Sequence, residues 1–251
     1  MSRHGLALRF LGVGSAHAVA LGSSSAVLER DGAPQLMIDC GQEALTACLD
    51  RYGAPPSALF FTHTHLDHIA GMERLFVACW FDEALRGRTR IFAAAPLVPL
   101  LHARVGDYPE VLAEGGTNFW DAFRLVPVGA SFWHAGLKFE VFGTRHHAPE
   151  TSFGLALPGS FAFTGDTRPI PEVLARYDTG ATVIAHDCGL QGNPSHTGLD
   201  DLEREYPASL RSRMILYHYG SRADGEALRA RGLRVADPGE AFALPDPEPH
   251  R

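Results

Sequence analysis

The sequence predicts an α/β protein in which two mixed β-sheets pack face to face with helices on the outside. Three observations carry that prediction. Strand-like and helix-like segments come in the order strands, helices, strands, helices, and the two halves repeat that order without repeating sequence, which favours two packed sheets over a simple parallel one. Hydrophobic residues make up 45% of the 251-residue chain, enough to fill a substantial core between such layers. A histidine-dense stretch follows directly on an apolar run, the pattern expected where a strand ends at a functional rim. Residues 1–251 read as a single domain, with the proline-spaced tail from about 237 to 251 loosely held.

Leu6 to Val13 alternates as a first strand and ends at the small-residue turn Gly14-Ser15-Ala16. A strand near Ala26 to Glu29 returns through Asp31-Gly32 into Gln35 to Asp39, completing an N-terminal meander. Glu43 to Arg51 follows as a helix with Ala44, Leu45, Ala47 and Cys48 on its apolar face, stopped by Gly53-Ala54-Pro55-Pro56. Ala58 to Phe61 is a short buried strand, Ala70 to Ala84 a helix turning Leu75, Phe76 and Cys79 inward, and Arg90 to Ala93 another strand. Pro96 to Val105 reads as helical and Gly115 to Asn118 as a loop, and residues 96–120 as a whole are where substrate-facing variation is expected. A second meander covers Phe123 to Val128, Ser131 to His134 and Leu137 to Phe142. Strands then run Ser152 to Leu157 and Phe161 to Thr164, followed by a helix at Ile170 to Tyr177, a strand at Thr182 to Ala185, a helix at Leu199 to Tyr206 and a last core strand at Met214 to Tyr217.

The formal net charge of -7 argues against a chain that lives on nucleic acid, whose phosphates normally select a basic excess. Cys40, Cys48, Cys79 and Cys188 are scattered and form no C-x-x-C pair, so neither a disulfide framework nor a structural zinc knuckle is indicated, and a reducing cytoplasm is the natural setting. Arg9 interrupts the only candidate for an N-terminal apolar signal region, and no apolar run approaches the roughly 20 residues needed to span a bilayer. No membrane partner is expected.

The chemistry concentrates in Phe60-Phe61-Thr62-His63-Thr64-His65-Leu66-Asp67-His68, which places three histidines and an aspartate at the end of an apolar strand. Imidazole and carboxylate together are the ligand set of zinc, manganese and iron. His63 and His65, two apart in extended backbone, point to the same side, while Asp67 and His68 lie past the bend and can face a second ion. The spacing therefore suggests two metals. Further candidates recur at other strand ends: Arg145-His146-His147, Asp166 after Phe163-Thr164-Gly165, and His218 after Met214 to Tyr217.

These pieces, in order, resemble the metallo-β-lactamase superfamily and within it the ribonuclease Z-like and cyclic phosphodiesterase-like branch. They are FLGVGSA, LMIDCGQ, FFTHTHLDHIAGM, TRHHAPETSFGLAL, FTGDTR, IAHDCGL, PSHTGLDDL and MILYHYGSR, spread over most of the chain. The resemblance implies a four-layer αβ/βα sandwich. It implies that His63, His65 and His147 hold one divalent ion, that Asp67, His68 and His218 hold the other, and that Asp166 bridges them; His146 competes with His147. Zinc is the first choice of metal, with manganese or iron as alternatives. His196-Thr197 matches the family's proton-donor motif, and Asp187 stands where ribonuclease Z has a glutamate, either sharing in proton transfer or orienting a histidine. Asp67, His196 and Asp187 are thus the candidate catalytic residues. His186 reads as structural, and His17 lies in a loop that can approach the site. The sequence departs from the family in lacking both the long basic or glycine-rich arm that grips tRNA and the N-terminal cysteine cluster found in related cyclic phosphodiesterases.

Residues and resemblance together imply a hydrolase that attacks a small or cyclic phosphodiester with a metal-bridging hydroxide, His196 protonating the leaving alkoxide. Three other readings stay open. The same site could cleave lactones or thioesters; a homodimer could borrow an RNA grip from its partner and process tRNA 3′ ends; a di-iron redox role is disfavoured because His65 is a histidine. Trp80, Phe81, Phe119 and Trp120 are the residues expected over the pocket or, equally, in the core.

Overall fold

The structure, a computed structural model, describes residues 5–106 and 117–248. The strands are β1 (Leu6–Gly12), β2 (Ser25–Arg30), β3 (Ala33–Ile38), β4 (Ala58–Phe61), β5 (Arg90–Ala94), β6 (Arg124–Val128), β7 (Ser131–His134), β8 (Leu137–Gly143), β9 (Phe153–Leu157), β10 (Phe161–Phe163), β11 (Val183–Asp187), β12 (Met214–Tyr217) and β13 (Ala241–Ala243). They form one sheet in the order β13-β1-β2-β3-β4-β5-β6 and a second in the order β12-β11-β10-β9-β8-β7. Both sheets are mixed. In the first, β1 to β3 are antiparallel and β3 to β6 parallel; in the second, β7 to β10 are antiparallel and β10 to β12 parallel.

Strand β4 shows why this is a layered sandwich. It is buried on both faces, and its residues alternate between two cores. Ala58 and Phe60 join the core between the sheets, with Leu8, Phe10, Phe139, Phe163 and Tyr217. Leu59 and Phe61 join a second core beneath the helices Ala44–Tyr52 and Met72–Trp80, with Leu45, Cys48, Leu75, Phe76 and Cys79. The two sheets meet through an aromatic stack in which Phe132 of β7 lies against Phe92 of β5 at 4.2 Å and Phe60 of β4 at 6.0 Å between ring centroids. Each such buried side chain contributes roughly 1.5–3 kcal/mol over its exposed state.

Several expected elements differ in extent. The helix expected over 70–84 is shorter, Met72–Trp80, and a separate helical turn, Leu66–Ile69, precedes it; Gly71 between them packs against Cys40, where a Cβ would lie 2.9 Å from the Cys40 carbonyl oxygen. The segment expected as one helix from Pro96 is α-helical over Leu97–Leu101 and continues as a π-helical turn, His102–Gly106. Of the loop expected at 115–118, Gly115 and Gly116 lie outside the described residues, and Asn118 caps the short turn Phe119–Ala122 by accepting from the Trp120 N–H. Helix Arg222–Ala230 has no counterpart in the sequence reading, although Ser221 caps it by accepting from the Asp224 N–H. The tail, expected from its prolines to be loosely held, instead adds β13 to the edge of β1, and Leu244 and Glu248 hydrogen-bond back to Leu6 and Pro158. Alternation at Ala241-Phe242-Ala243 supplies a pairing edge between the prolines.

Candidate active site

The candidate ligands all leave the C-terminal ends of strands. His63, His65, Asp67 and His68 follow β4, His146 and His147 follow β8, Asp166 follows β10, Asp187 ends β11 and His218 follows β12. Loops of both sheets therefore meet at one rim. The turn that carries Asp67 and His68 is pinned to the end of β3, with the Cys40 N–H donating to the His68 carbonyl at 2.7 Å and the Gly71 N–H to the Cys40 carbonyl at 2.9 Å. Only glycine fits at position 41, where a Cβ would fall 2.0 Å from the Asp67 carbonyl oxygen.

Three overlapping groups of possible ligand atoms assemble: His63, His65, His146 and Asp166; Asp67, His68, Asp166 and His218; and Asp166, Asp187, His196 and His218, the last joined internally by the His196–Asp187 hydrogen bond. Asp166 belongs to all three. Its Oδ2 lies 3.7 Å from His63 Nε2, 3.3 Å from His68 Nε2, 3.8 Å from His146 Nε2 and 3.2 Å from His218 Nε2.

The outer nitrogen of each ring decides which lone pair faces inward. His68 Nδ1 donates to Asp39 Oδ2 at 2.8 Å. Asp39 also accepts from the Thr62 hydroxyl at 2.7 Å, so toward His63 Nδ1, 3.0 Å away, that hydroxyl acts as acceptor and Nδ1–H as donor. His146 Nδ1 donates to the Ser195 carbonyl at 3.0 Å, and His218 Nδ1 faces Asp187 Oδ1 at 3.4 Å. In all four rings Nδ1 is thereby engaged on the outside, so Nε2 is the nitrogen turned to the centre, the one a metal ion would take in place of a proton. His65 is reversed. Its Nδ1 lies 3.2 Å from His146 Nε2, and its Nε2 lies 2.7 Å from His147 Nε2.

The donor set fits a pair of divalent ions. His63 Nε2, His68 Nε2, His218 Nε2 and both Asp166 carboxylate oxygens are buried without a hydrogen-bond partner, and an orphaned buried polar group costs about 1–3 kcal/mol. Their convergence on one small volume is explained if cations complete them.

The set that assembles differs from the expected one at one position. His146 is buried and faces Asp166, whereas His147 is exposed and touches the outer edge of His65. The two rings touch, 3.9 Å apart between centroids, and differ in depth, His146 toward Asp166 and His147 toward solvent, a geometry the adjacent sequence positions do not reveal.

Charge in the centre is strongly coupled. Burial alone would raise the pKa of Asp166, but His218, His68 and His63 outweigh it and hold the carboxyl well below its ordinary range. Burial likewise opposes a charged His218, yet Asp166 and Asp187 push it up to about 10. His63 goes the other way, lowered by burial and by His68.

Asp187 is fully buried and forms the second layer. Its Oδ2 accepts from the Thr167 N–H at 2.9 Å and from His196 Nδ1 at 2.8 Å. Burial works against a charged His196, but the hydrogen bond and charge of Asp187 raise its pKa above the ordinary value. His186 is buried between the Asp187 carbonyl and the Tyr206 hydroxyl. His17 lines the cavity over the centre. Of the aromatic residues expected over the pocket or in the core, Phe119 and Trp80 take the core position, stacking on Phe76, while Trp120 donates its indole N–H to His102 and Phe81 is exposed. Sequence reasoning misses Asp39, Thr62 and the Ser195 carbonyl. Asp39 could have been found as a carboxylate ending an apolar strand, in left-handed backbone at φ +60°; a carbonyl partner leaves no trace in sequence.

These features define a metal-dependent hydrolase of the metallo-β-lactamase fold. Solved structures of that fold agree: the chain superimposes on the metallo-β-lactamase fold protein YhfI of Bacillus subtilis with a TM-score of 0.72 at 13% identity, covering 95% of this chain and 99% of that one. The corresponding values are 0.73 and 18% for a diphosphatase of the PhnP family, covering 94% and 97%, and 0.68 and 17% for the short form of human tRNase Z, covering 96% and 100%. The sequence profile of the Anti-Pycsar protein Apyc1 family matches residues 6–242, and the chain belongs to that family. Among its relatives, the Apyc1 protein of Paenibacillus harenae is 28% identical over 94% of this chain and 99% of its own length. That of Saccharibacillus brassicae is 30% identical over 94% and 99%.

Proposed function

We propose that this protein hydrolyses small or cyclic phosphodiesters, of the size of a cyclic nucleotide, at a two-metal centre. The observation that carries the reading is the His196–Asp187 pair beside Asp166. His63, His65, His146 and Asp166 would hold one ion and Asp67, His68, His218 and Asp166 the other, with His147 the hydrogen-bond partner of His65. Zinc suits this imidazole-rich set best, and manganese or iron are the alternatives. When bound, the ions supply Lewis acidity and a water acidic enough to serve as nucleophile near neutral pH.

The protein's own part is to place a proton. Asp187 holds His196 Nδ1, so His196 Nε2–H is the group available to a leaving oxygen, and the raised pKa favours the protonated form that can donate. Alkoxide departure needs that proton; acyl transfer from a lactone or thioester needs it less.

The cavity measures about 590 Å³, within the range of small-molecule sites. Among the described residues lining it there is no lysine or arginine. With a net charge of -7, bound metal is the main cationic feature offered to a phosphate, which suits one phosphodiester and not a folded RNA in competition with counterions. The four cysteines are free and buried, which fits a reducing compartment. No helix of the described residues is long and apolar enough to cross a membrane.

The test compares kcat/KM of the metal-loaded protein for a cyclic nucleotide, a lactone and a thioester with 3′-end cleavage of precursor tRNA at about 150 mM salt. The cyclic phosphodiester is expected to be the preferred substrate. Efficient, site-specific tRNA cleavage would replace this reading with that of a processing ribonuclease, and acyl substrates alone would replace it with that of an esterase.

A further inference from the structure

We infer that Asp224 selects substrates whose organic moiety offers a hydrogen-bond donor, a hydroxyl or an amino group, to the wall of the cavity built by residues 220–224. The inference rests on the phosphodiesterase reading and names what that site recognises besides phosphate.

Among the titratable residues lining the cavity, His65, Asp67, Asp166 and His218 belong to the metal sets and His196 with Asp187 forms the proton-donor pair, which leaves His17 and Asp224 unused. Asp224 lies in the first turn of helix Arg222–Ala230, where its N–H donates to the Ser221 hydroxyl at 3.1 Å. The Ser-x-x-Asp spacing is that of a reciprocal cap, in which the carboxylate would return to the Ser221 N–H. Here it does not: among the described residues the Asp224 carboxylate has no hydrogen-bond or ion-pair partner, and it lines the cavity instead.

Gly220 makes the room for this. A Cβ at 220 would lie 2.8 Å from Asp224 Oδ2, so a side chain there would displace the carboxylate. The wall itself is fixed, since the Ser15 N–H donates to the Tyr219 carbonyl at 3.2 Å and the Tyr219 hydroxyl to the Ala236 carbonyl at 2.8 Å. Gly220 stands two positions beyond His218, so the carboxylate borders the space next to the metal ligands.

An ionised carboxylate only accepts hydrogen bonds. Half-buried, it loses access to water when a substrate fills the cavity, and the lining holds no lysine or arginine to pair with it in place of that water. A substrate that brings a donor satisfies it; one that does not leaves a desolvated charge unpaired, the situation in which polar sites discriminate most strongly. The donor can come from a sugar hydroxyl or from the exocyclic amine of a base.

The experiment measures kcat and KM for the wild type, Asp224→Ala and Asp224→Asn with four probes: cyclic AMP, its 2′-deoxy form, the cyclic phosphate of purine riboside, which lacks the amine, and bis(p-nitrophenyl) phosphate, which has no donor. Asp224→Ala is expected to lower kcat/KM for cyclic AMP about 10- to 100-fold, the scale of one hydrogen bond to a charged group. The loss should far exceed that on the bis(p-nitrophenyl) ester, and it should collapse on one nucleotide analogue: on the deoxy form if the donor is the hydroxyl, on the purine form if it is the amine. Asp224→Asn, which keeps an acceptor oxygen, should retain part of the preference. Equal losses on all four probes, the signature of a structural role in the helix, or no loss on any, would overturn the inference while leaving the phosphodiesterase reading intact. Wild-type protein that turns over none of the four would overturn both.

Discussion

The two sheets supply the same centre in opposite ways. The first sheet delivers His63, His65, Asp67 and His68 from one turn after β4, clamped to the neighbouring strand end by Asp39 and Cys40. The second sheet delivers His146, Asp166, Asp187, His196 and His218 from separate loops that hold one another: His146 by the Ser195 carbonyl, Asp187 by the Thr167 N–H, and the Thr197 N–H and hydroxyl by the Thr167 carbonyl. The first half is built locally, and the second exists only once distant loops have converged. His218 shows what that convergence requires, because it sits in left-handed backbone at φ +67° with its N–H donating to the Val13 carbonyl at 2.7 Å. Such a conformation costs about 1–3 kcal/mol and persists only where the surroundings determine it.

The largest effect should come from the residue that joins the halves. Asp166→Ala is expected to lower total bound metal and to reduce hydrolysis below detection, since one oxygen faces histidines of both sets. Retention of full metal in that variant would break the picture of a bridged centre.

Next comes His196, the proton donor proposed for the second half. His196→Ala should leave the metals in place yet lower turnover of alkyl phosphodiesters about 10²- to 10⁴-fold, with a far smaller loss on a p-nitrophenyl ester, whose leaving group barely needs a proton. Because Asp187 raises the His196 pKa, the active protonated form is present below that pKa and lost as pH rises through it. The wild type should therefore show an alkaline limb above the ordinary histidine value, and His196→Ala should lack it. Equal losses on both esters, or an unchanged alkaline limb, would remove His196 from the donor role.

A smaller effect should come from the clamp of the first half. Asp39→Asn is expected to weaken metal binding about 10- to 100-fold, the usual scale for an outer partner of a metal-bound histidine, because His68 and Thr62 both lean on it. Metal titration followed by calorimetry measures it; wild-type affinity would show that the turn holds itself without that carboxylate.

The same contrast explains what is legible in the sequence. The first half is contiguous, so strand period, apolar run and ligand spacing lie in one window and reveal both the strand and its ligands. Asp166 and His218 are legible for a similar reason, each being a lone polar residue after an apolar strand. His146 and His147 are not separable, because adjacent residues differ in direction only once the 144–152 loop has folded. Asp224 escapes notice because its role depends on Gly220 and on a helix start that reads locally as an ordinary cap. The β13 edge is hidden by its flanking prolines, although the intervening backbone is free to pair with β1.

The most direct measurement is the metal content of purified protein saturated with zinc, for the wild type, His146→Ala and His147→Ala side by side. The account predicts two ions per chain for the wild type, loss of close to one ion in His146→Ala, and retention of both in His147→Ala, where only the outer partner of His65 is removed. A single ion in the wild type, or loss of an ion from His147→Ala while His146→Ala keeps both, would contradict it.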